Sequence, residues 1–219
     1  VMLIQAYQYI LDYGDPVLIK AILDVMNTMA FEVCEGQQSD MDFEKSTDVS
    51  ISNYLDMITQ KTSVLMGAAI RIGAIIAGAD EKNQKHIYEF AKYFGIAFQL
   101  QDDMLDVFGT HEQVGKRIGG DIVQNKKTYL FIKSLELAST DQKALLEELS
   151  FTSDHTYSDE EKIRLVTDIF KDLHVSAYSK EVIDAYRDLS VSHLNACDIS
   201  PEKKSELTTF INELIMRES

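Results

Sequence analysis

The sequence predicts an all-α fold, a large helical bundle, and three observations predict it. Helix breakers are sparse: the 219 residues hold ten glycines and two prolines. Apolar residues recur at helical spacing over long stretches, whereas period-two alternation and Asn-Gly or Asp-Gly hairpin turns are absent. Helix-start signals also fall where helices should begin. Asp15-Pro16 and Ser200-Pro201 each place a capping residue before a proline at a first helical position, and Ser158-Asp159-Glu160-Glu161 reads as a capping box.

In chain order, the pattern predicts helices over 1–12, 16–35, 50–78, 82–108, 127–138, 141–149, 159–173, 176–196 and 201–217. The first two are amphipathic runs separated by Gly14-Asp15-Pro16. The polar segment 36–49 reads as a loop. The 50–78 helix is rich in small residues, among them Gly67, Ala68, Ala69, Gly73 and Ala74. Close helix packing accounts for them, and room for an apolar ligand is the alternative. The 82–108 helix is apolar except for its C-terminal end. Segment 109–126 contains Gly109, Gly115, Gly119 and Gly120 and reads as a loop. The remaining helices carry apolar stripes and no motif. No repeat or linker divides the chain, so 1–219 reads as a single domain.

Charge and cysteine content narrow the function. A net charge of −15 argues against nucleic acid and against anionic membrane surfaces as partners. The longest apolar stretch, Val64 to Ala79, is interrupted by Arg71 and is too short to span a bilayer, so no stable membrane anchor is expected. Two cysteines, Cys34 and Cys197, do not make a disulfide framework, which fits a reducing cytoplasmic setting. No secretory pattern opens the chain, and it begins Val-Met-Leu-Ile-Gln rather than with Met, as a piece of a longer protein would. His86, His111, His155, His174 and His193 are scattered without metal-ligand spacing and read as structural or surface residues.

The chemistry concentrates in Phe98-Gln99-Leu100-Gln101-Asp102-Asp103-Met104-Leu105-Asp106. At about 100° per residue, Asp102 and Asp106 lie about 40° apart on the helix, with Asp103 and Gln99 close to them. Like charges at this spacing cost about 0.2–0.5 kcal/mol per exposed pair, and no Lys or Arg occurs between Lys92 and Lys116 to neutralise them. A solvated acidic face is the ordinary reading of such a cluster. The apolar flanks and the Gln one turn earlier favour a hard cation instead. Mg²⁺ takes one or two carboxylates together with waters and substrate phosphates.

Two further elements fit an anionic substrate. Lys61-Thr62 sits inside an apolar helix, where the lysine either snorkels to solvent or holds an anion. Between Gly109 and Lys127, four basic residues (Lys116, Arg117, Lys126, Lys127) face two acidic ones, a local reversal of the chain's charge. A glycine-rich basic loop after an acidic helix is either an ordinary surface loop or a lid over a diphosphate.

These residues resemble the trans-isoprenyl diphosphate synthases, also called polyprenyl synthetases. Phe98-Gln99-x-x-Asp102-Asp103-x-x-Asp106 is similar to that family's second aspartate-rich motif, and Lys61-Thr62 to its Lys-Thr helix. Gly36-Gln37-x-x-Asp40 resembles its Gly-Gln-x-x-Asp element, and Gly115-Lys116-Arg117-x-Gly119-x-Asp121 with Lys126-x-Thr128-Tyr129 its diphosphate-closing loop. The motifs stand in family order over about residues 30–130.

The resemblance implies an all-α bundle of the isoprenoid synthase type around a central cavity, usually homodimeric. It implies condensation of an allylic diphosphate with isopentenyl diphosphate, with Mg²⁺ as cofactor. On this reading Asp102, Asp103 and Asp106 bind metal, Asp102 most directly. Lys61, Lys116 and Lys126 hold the allylic diphosphate, and Lys61 and Lys116 act catalytically with Asp102. Thr62 and Gln99 position substrate, and Phe98 lines the cavity. The family also has a first aspartate-rich motif and an Arg-Arg-Gly run upstream, and this sequence has neither: its one Asp-Asp pair is Asp102-Asp103. An N-terminally truncated domain, inactive by itself, is therefore expected. A non-catalytic partner subunit is a second reading, disfavoured by the intact second motif and lysines. A terpene cyclase is a third, disfavoured because its second metal motif usually mixes Asn or Asp with Ser/Thr and Glu.

Overall fold

The computed structural model describes residues 2–12, 14–110, 118–151 and 157–215, apart from the side chain of Leu3. Among the described residues every regular element is helical, as expected. Helix α1 spans Met2–Leu11 and α2 Pro16–Phe43. The Asp15 carboxylate caps α2 by accepting from Val17 N (2.9 Å), with Pro16 at the first helical position, where it sacrifices no bond.

Helix α2 runs a full two turns further than the sequence indicated. Segment 36–43 is helical, and the loop shrinks to residues 44–50. Its polarity is real, but the polar residues face water while one face packs. Gln38 Nε2 donates to Asp42 Oδ1 (2.9 Å) on the open side, and Gly36 is buried on the other.

The next helix is a rod of three parts: α3 (Ile51–Ile58), a π-helical turn (Thr59–Ser63) and α4 (Val64–Ile76). Ser50 caps α3 in a capping box whose reciprocal partner is Asn53. The extra residue of the π turn is accommodated by hydroxyls that bond back to earlier carbonyls: Thr59 Oγ1 to Leu55 O (2.7 Å) and Ser63 Oγ to Ile58 O (3.3 Å).

Helix α5 (Glu81–Phe108) is the axis of the bundle. It packs along α4, the π turn and α10 (Val175–Ala196). The short α6 (Gly120–Val123) and α7 (Tyr129–Leu137) follow it, then α8 (Thr140–Phe151) and α9 (Asp159–Asp172) before α10, and α11 (Pro201–Ile215) after it. Ser158 caps α9 by accepting from Glu161 N (3.2 Å), as its sequence predicts.

Two apolar cores hold α5 in place. The larger gathers Tyr54, Met57, Phe90, Phe94, Leu100, Ile132, Ile183 and Leu194 around it. The second joins Val107, at the C-terminal end of α5, to Ile122, Phe131, Leu149, Val166 and Phe170. Leu100 and Ala97 are fully buried beside the motif. Truncating such a leucine typically costs about 2–5 kcal/mol, so the aspartate-bearing turn stands on a rigid support. Among the described residues, no helix is long and apolar enough to cross a membrane.

Candidate active site

The three aspartates of α5 meet three different surroundings. Asp102 is exposed, whereas Asp103 and Asp106 are buried. Both oxygens of Asp103 are occupied by donors: Tyr54 Oη–H donates to Oδ2 (2.6 Å) and Gln99 Nε2 to Oδ1 (2.9 Å). Asp106 fastens the chain that returns after α5. Its Oδ2 accepts from Asp121 N (3.0 Å), and its backbone oxygen accepts from Gly119 N (2.6 Å).

Lys61 and Thr62 both lie in the π turn, a feature that gives no sign in the sequence. Two glycines bring neighbouring helices against it. At Gly36 of α2, a Cβ would meet the backbone carbon of Gln60 at 2.8 Å. At Gly95 of α5, it would meet Ser63 Cα at 2.8 Å. Each contact is tighter than a side chain allows, so only glycine permits the approach. One turn beyond each glycine stands a residue of the site. Asp40, four after Gly36, accepts from Lys61 Nζ (2.5 Å). Gln99, four after Gly95, accepts at Oε1 from Thr62 Oγ1 (3.2 Å). The Thr62–Gln99–Asp103–Tyr54 chain of hydrogen bonds thus ties the π turn, α5 and α3 together.

The third wall comes from the segment after α6, where the Lys126 ammonium donates to Asp121 Oδ1. Lys61, Thr62, Gln99, Asp103, Asp40 and Lys126 line one cleft, open to solvent, with Met57 and Ile58 as its apolar floor.

The cleft pairs lysine ammoniums with carboxylates beside a buried acid. Burial pushes the Asp103 carboxyl up to about 7, against the Tyr54 and Gln99 hydrogen bonds that favour its ionised form. Burial and the neighbouring Asp103 likewise push the Tyr54 hydroxyl well above its ordinary range, so it stays a donor. For Lys126, burial disfavours the charge. The hydrogen bond and attraction to Asp121, with Asp103 and Asp40 beyond, outweigh it and raise the ammonium's pKa.

The donor chemistry suits a hard cation of a particular kind. Among the described residues, no three His, Cys, Asp or Glu side chains are placed to hold a metal by themselves. Carboxylate oxygens beside a lysine-bearing cleft suit Mg²⁺ that completes its shell from water and substrate phosphate.

Six of the site residues expected from the sequence, Lys61, Thr62, Gln99, Asp103, Lys126 and, through Asp121, Asp106, are joined here in one connected region. Asp102 adjoins it on the exposed side of α5. Phe98 is half-buried against Phe94, with ring centroids 5.9 Å apart, and is not among the residues lining the cleft. Lys116 lies outside the described residues. Sequence reasoning missed Tyr54, which reads as one more apolar position in α3. Nor does any spacing in the sequence relate His86 to His193, whose Nδ1 atoms lie 3.2 Å apart across α5 and α10.

The chain resembles known proteins in sequence and in fold. A family model described as polyprenyl synthetase matches residues 1–169. A short chain isoprenyl diphosphate synthase from Methanothermobacter thermautotrophicus is 33% identical over 183 residues, 83% of this chain and 54% of the relative. A crystal structure of a geranylgeranyl pyrophosphate synthase is 42% identical with a TM-score of 0.91, covering 100% of this chain and 67% of that one. The Corynebacterium glutamicum geranylgeranyl pyrophosphate synthase, solved with isoprenyl diphosphate and magnesium, shares the fold at 24% identity and a TM-score of 0.84, over 93% of this chain and 57% of that one. The chain spans about half the length of the curated relative.

Proposed function

Because the chain belongs to the polyprenyl synthetase family, we propose that it carries the diphosphate-binding part of a prenyltransferase that condenses an allylic diphosphate with isopentenyl diphosphate. The observation that carries this reading is the pair of carboxylate-bound ammoniums, Lys61 on Asp40 and Lys126 on Asp121, lining one cleft with Asp103. A diphosphate entering the cleft would accept from both ammoniums, which their carboxylate partners already hold at its wall. Lys116, by its place in the sequence motif, would add a further cation for the same anion. Thr62 donates its hydroxyl hydrogen to Gln99 Oε1 and would serve the anion by turning that hydrogen away from Gln99.

The allylic C–O bond ionises as negative charge gathers on the departing diphosphate. Lys61 and Lys126 stabilise that charge where it develops. Mg²⁺, when bound, neutralises further diphosphate charge, and Asp102 with Asp103 would hold it, Asp106 standing one turn on. The isopentenyl double bond attacks the allylic cation and a proton is lost. The apolar floor at Met57 and Ile58 helps exclude water from the cation.

A homodimer belongs to the same proposal. It is supported by an uncovered apolar face on α1 and α2, where Met2, Ile4, Tyr9, Val17 and Phe31 are largely exposed. So does a cytoplasmic setting, in keeping with free Cys34 and Cys197.

Two measurements test the proposal. An allylic diphosphate should bind this polypeptide with an affinity that depends on Mg²⁺. Elongation should also require the family's first aspartate-rich motif, absent from this sequence: these 219 residues alone should make no longer diphosphate, and the same residues joined to the N-terminal helices of a related synthase should. A folded chimera that binds the allylic substrate yet makes no longer product overturns the reading.

A further inference from the structure

Lys162 belongs to no motif. It sits on α9, more than thirty positions after the basic segment, and is buried at 3% exposure. Its ammonium donates to Asn125 Oδ1 (2.5 Å) and to Val123 O (3.4 Å). A second buried lysine reaches the same residue from the other side. Lys127 Nζ donates to Asn125 O (2.9 Å) and lies over the rings of Phe151 and Phe131, 4.4 and 5.3 Å from their centroids. Burial lowers the pKa of both ammoniums, that of Lys127 to about 8 with Lys162 adding to the effect. Two mutually repelling, desolvated cations are an unfavourable arrangement in a core, so what they hold matters.

They hold Asn125, whose φ of +58° lies in the left-handed region. A non-glycine residue there needs local support, and asparagine is among the residues that tolerate it. The residue that follows is Lys126. Its backbone N donates to Asp121 O (3.0 Å), and its ammonium bonds the Asp121 carboxylate in the cleft. The turn at Asn125 therefore decides the direction in which Lys126 leaves the backbone.

We propose that Lys162, assisted by Lys127, is a positioning residue for diphosphate binding: by clamping the left-handed turn at Asn125, it sets the place of the Lys126 ammonium in the cleft. The inference rests on the role given to Lys126 above. Lys162 itself touches no substrate and acts through Lys126.

The test is calorimetric binding of inorganic pyrophosphate with Mg²⁺ to the wild-type chain and to Lys126→Ala, Lys162→Met and the double variant. Lys126→Ala should weaken binding about tenfold or more, as expected for loss of a charge-assisted hydrogen bond. Lys162→Met should weaken it about three- to tenfold alone, and by less than about twofold when Lys126 is already alanine, because residues acting as one unit are not additive. Asn125→Gly keeps the left-handed turn accessible but removes the oxygen that Lys162 grips. It should reproduce the Lys162→Met loss, and it carries the test if Lys162→Met does not fold. Wild-type affinity in both Lys162→Met and Asn125→Gly, or a full multiplicative loss in the double variant, overturns the positioning role. Wild-type affinity in Lys126→Ala overturns instead the diphosphate reading on which it rests.

Discussion

Tyr54→Phe isolates one hydrogen bond in the motif while keeping the shape of the core. The lost hydroxyl donates to Asp103 Oδ2 over 2.6 Å, between residues 1% and 6% exposed, so water does not replace it. A hydrogen bond to an ionised group contributes about 1.5–3 kcal/mol, and one between neutral groups about 0.5–1.5 kcal/mol. The Asp103 carboxyl titrates at about 7 in the folded protein, so it is largely ionised at pH 8 and protonated at pH 5. At about 2–4 °C per kcal/mol for a chain of this size, Tyr54→Phe should lower the melting temperature by about 3–12 °C at pH 8 and by about 1–6 °C at pH 5. Paired circular-dichroism melts of wild type and variant at the two pH values read this directly. The effect should be larger at pH 8. Equal melting temperatures at pH 8, or a larger loss at pH 5, would refute the assignment of Tyr54 as the donor that supports an ionised Asp103.

Other consequences are as direct. Gly36→Ala and Gly95→Ala should each destabilise by about 1–3 kcal/mol through overpacking against the π turn, whereas Gly73→Ala, whose Cβ meets nothing within 4 Å, should stabilise by up to about 1 kcal/mol; urea titrations of the three variants check the contrast. A carboxyl with a folded pKa raised to about 7 contributes stability that is complete below about pH 4 and lost as pH rises through about 7, so the stability of wild type minus Asp103→Asn should decline over that interval in denaturant curves. Asp102→Ala, an exposed change, should leave the melting temperature within about 2 °C while abolishing the Mg²⁺ dependence of allylic diphosphate binding.

What could be read from the sequence were features whose physics is local. Asp15-Pro16 and Ser158 cap helices because the capping carboxylate or hydroxyl and the bonded amides lie within three residues. The α5 motif is legible because charged residues interrupt an apolar run at helical spacing. The site's connections were not legible, because they are tertiary. Segment 36–43 looks like a loop until Gly36 is seen pressed against Gln60. The π turn depends on hydroxyls at Thr59 and Ser63 that elsewhere would be ordinary helix residues. Tyr54 and Asp103 are 49 positions apart, Lys162 and Asn125 37, and His86 and His193 107, so no spacing rule joins them. Asp102, Asp103 and Asp106 share a helix edge by periodicity, yet their neighbours separate them into an exposed carboxylate, a buried acceptor and an anchor for the returning chain.

The central claim is that Lys61, Lys126 and the α5 aspartates form one Mg²⁺-assisted diphosphate site. Its most direct test is the affinity of an allylic diphosphate for this chain, measured by calorimetry with and without Mg²⁺, in wild type and in Lys61→Ala/Lys126→Ala. Binding should depend on Mg²⁺ in wild type and fall about a hundredfold or more in the double variant, whose fold should persist. Binding that is indifferent both to Mg²⁺ and to removal of the two lysines would contradict it.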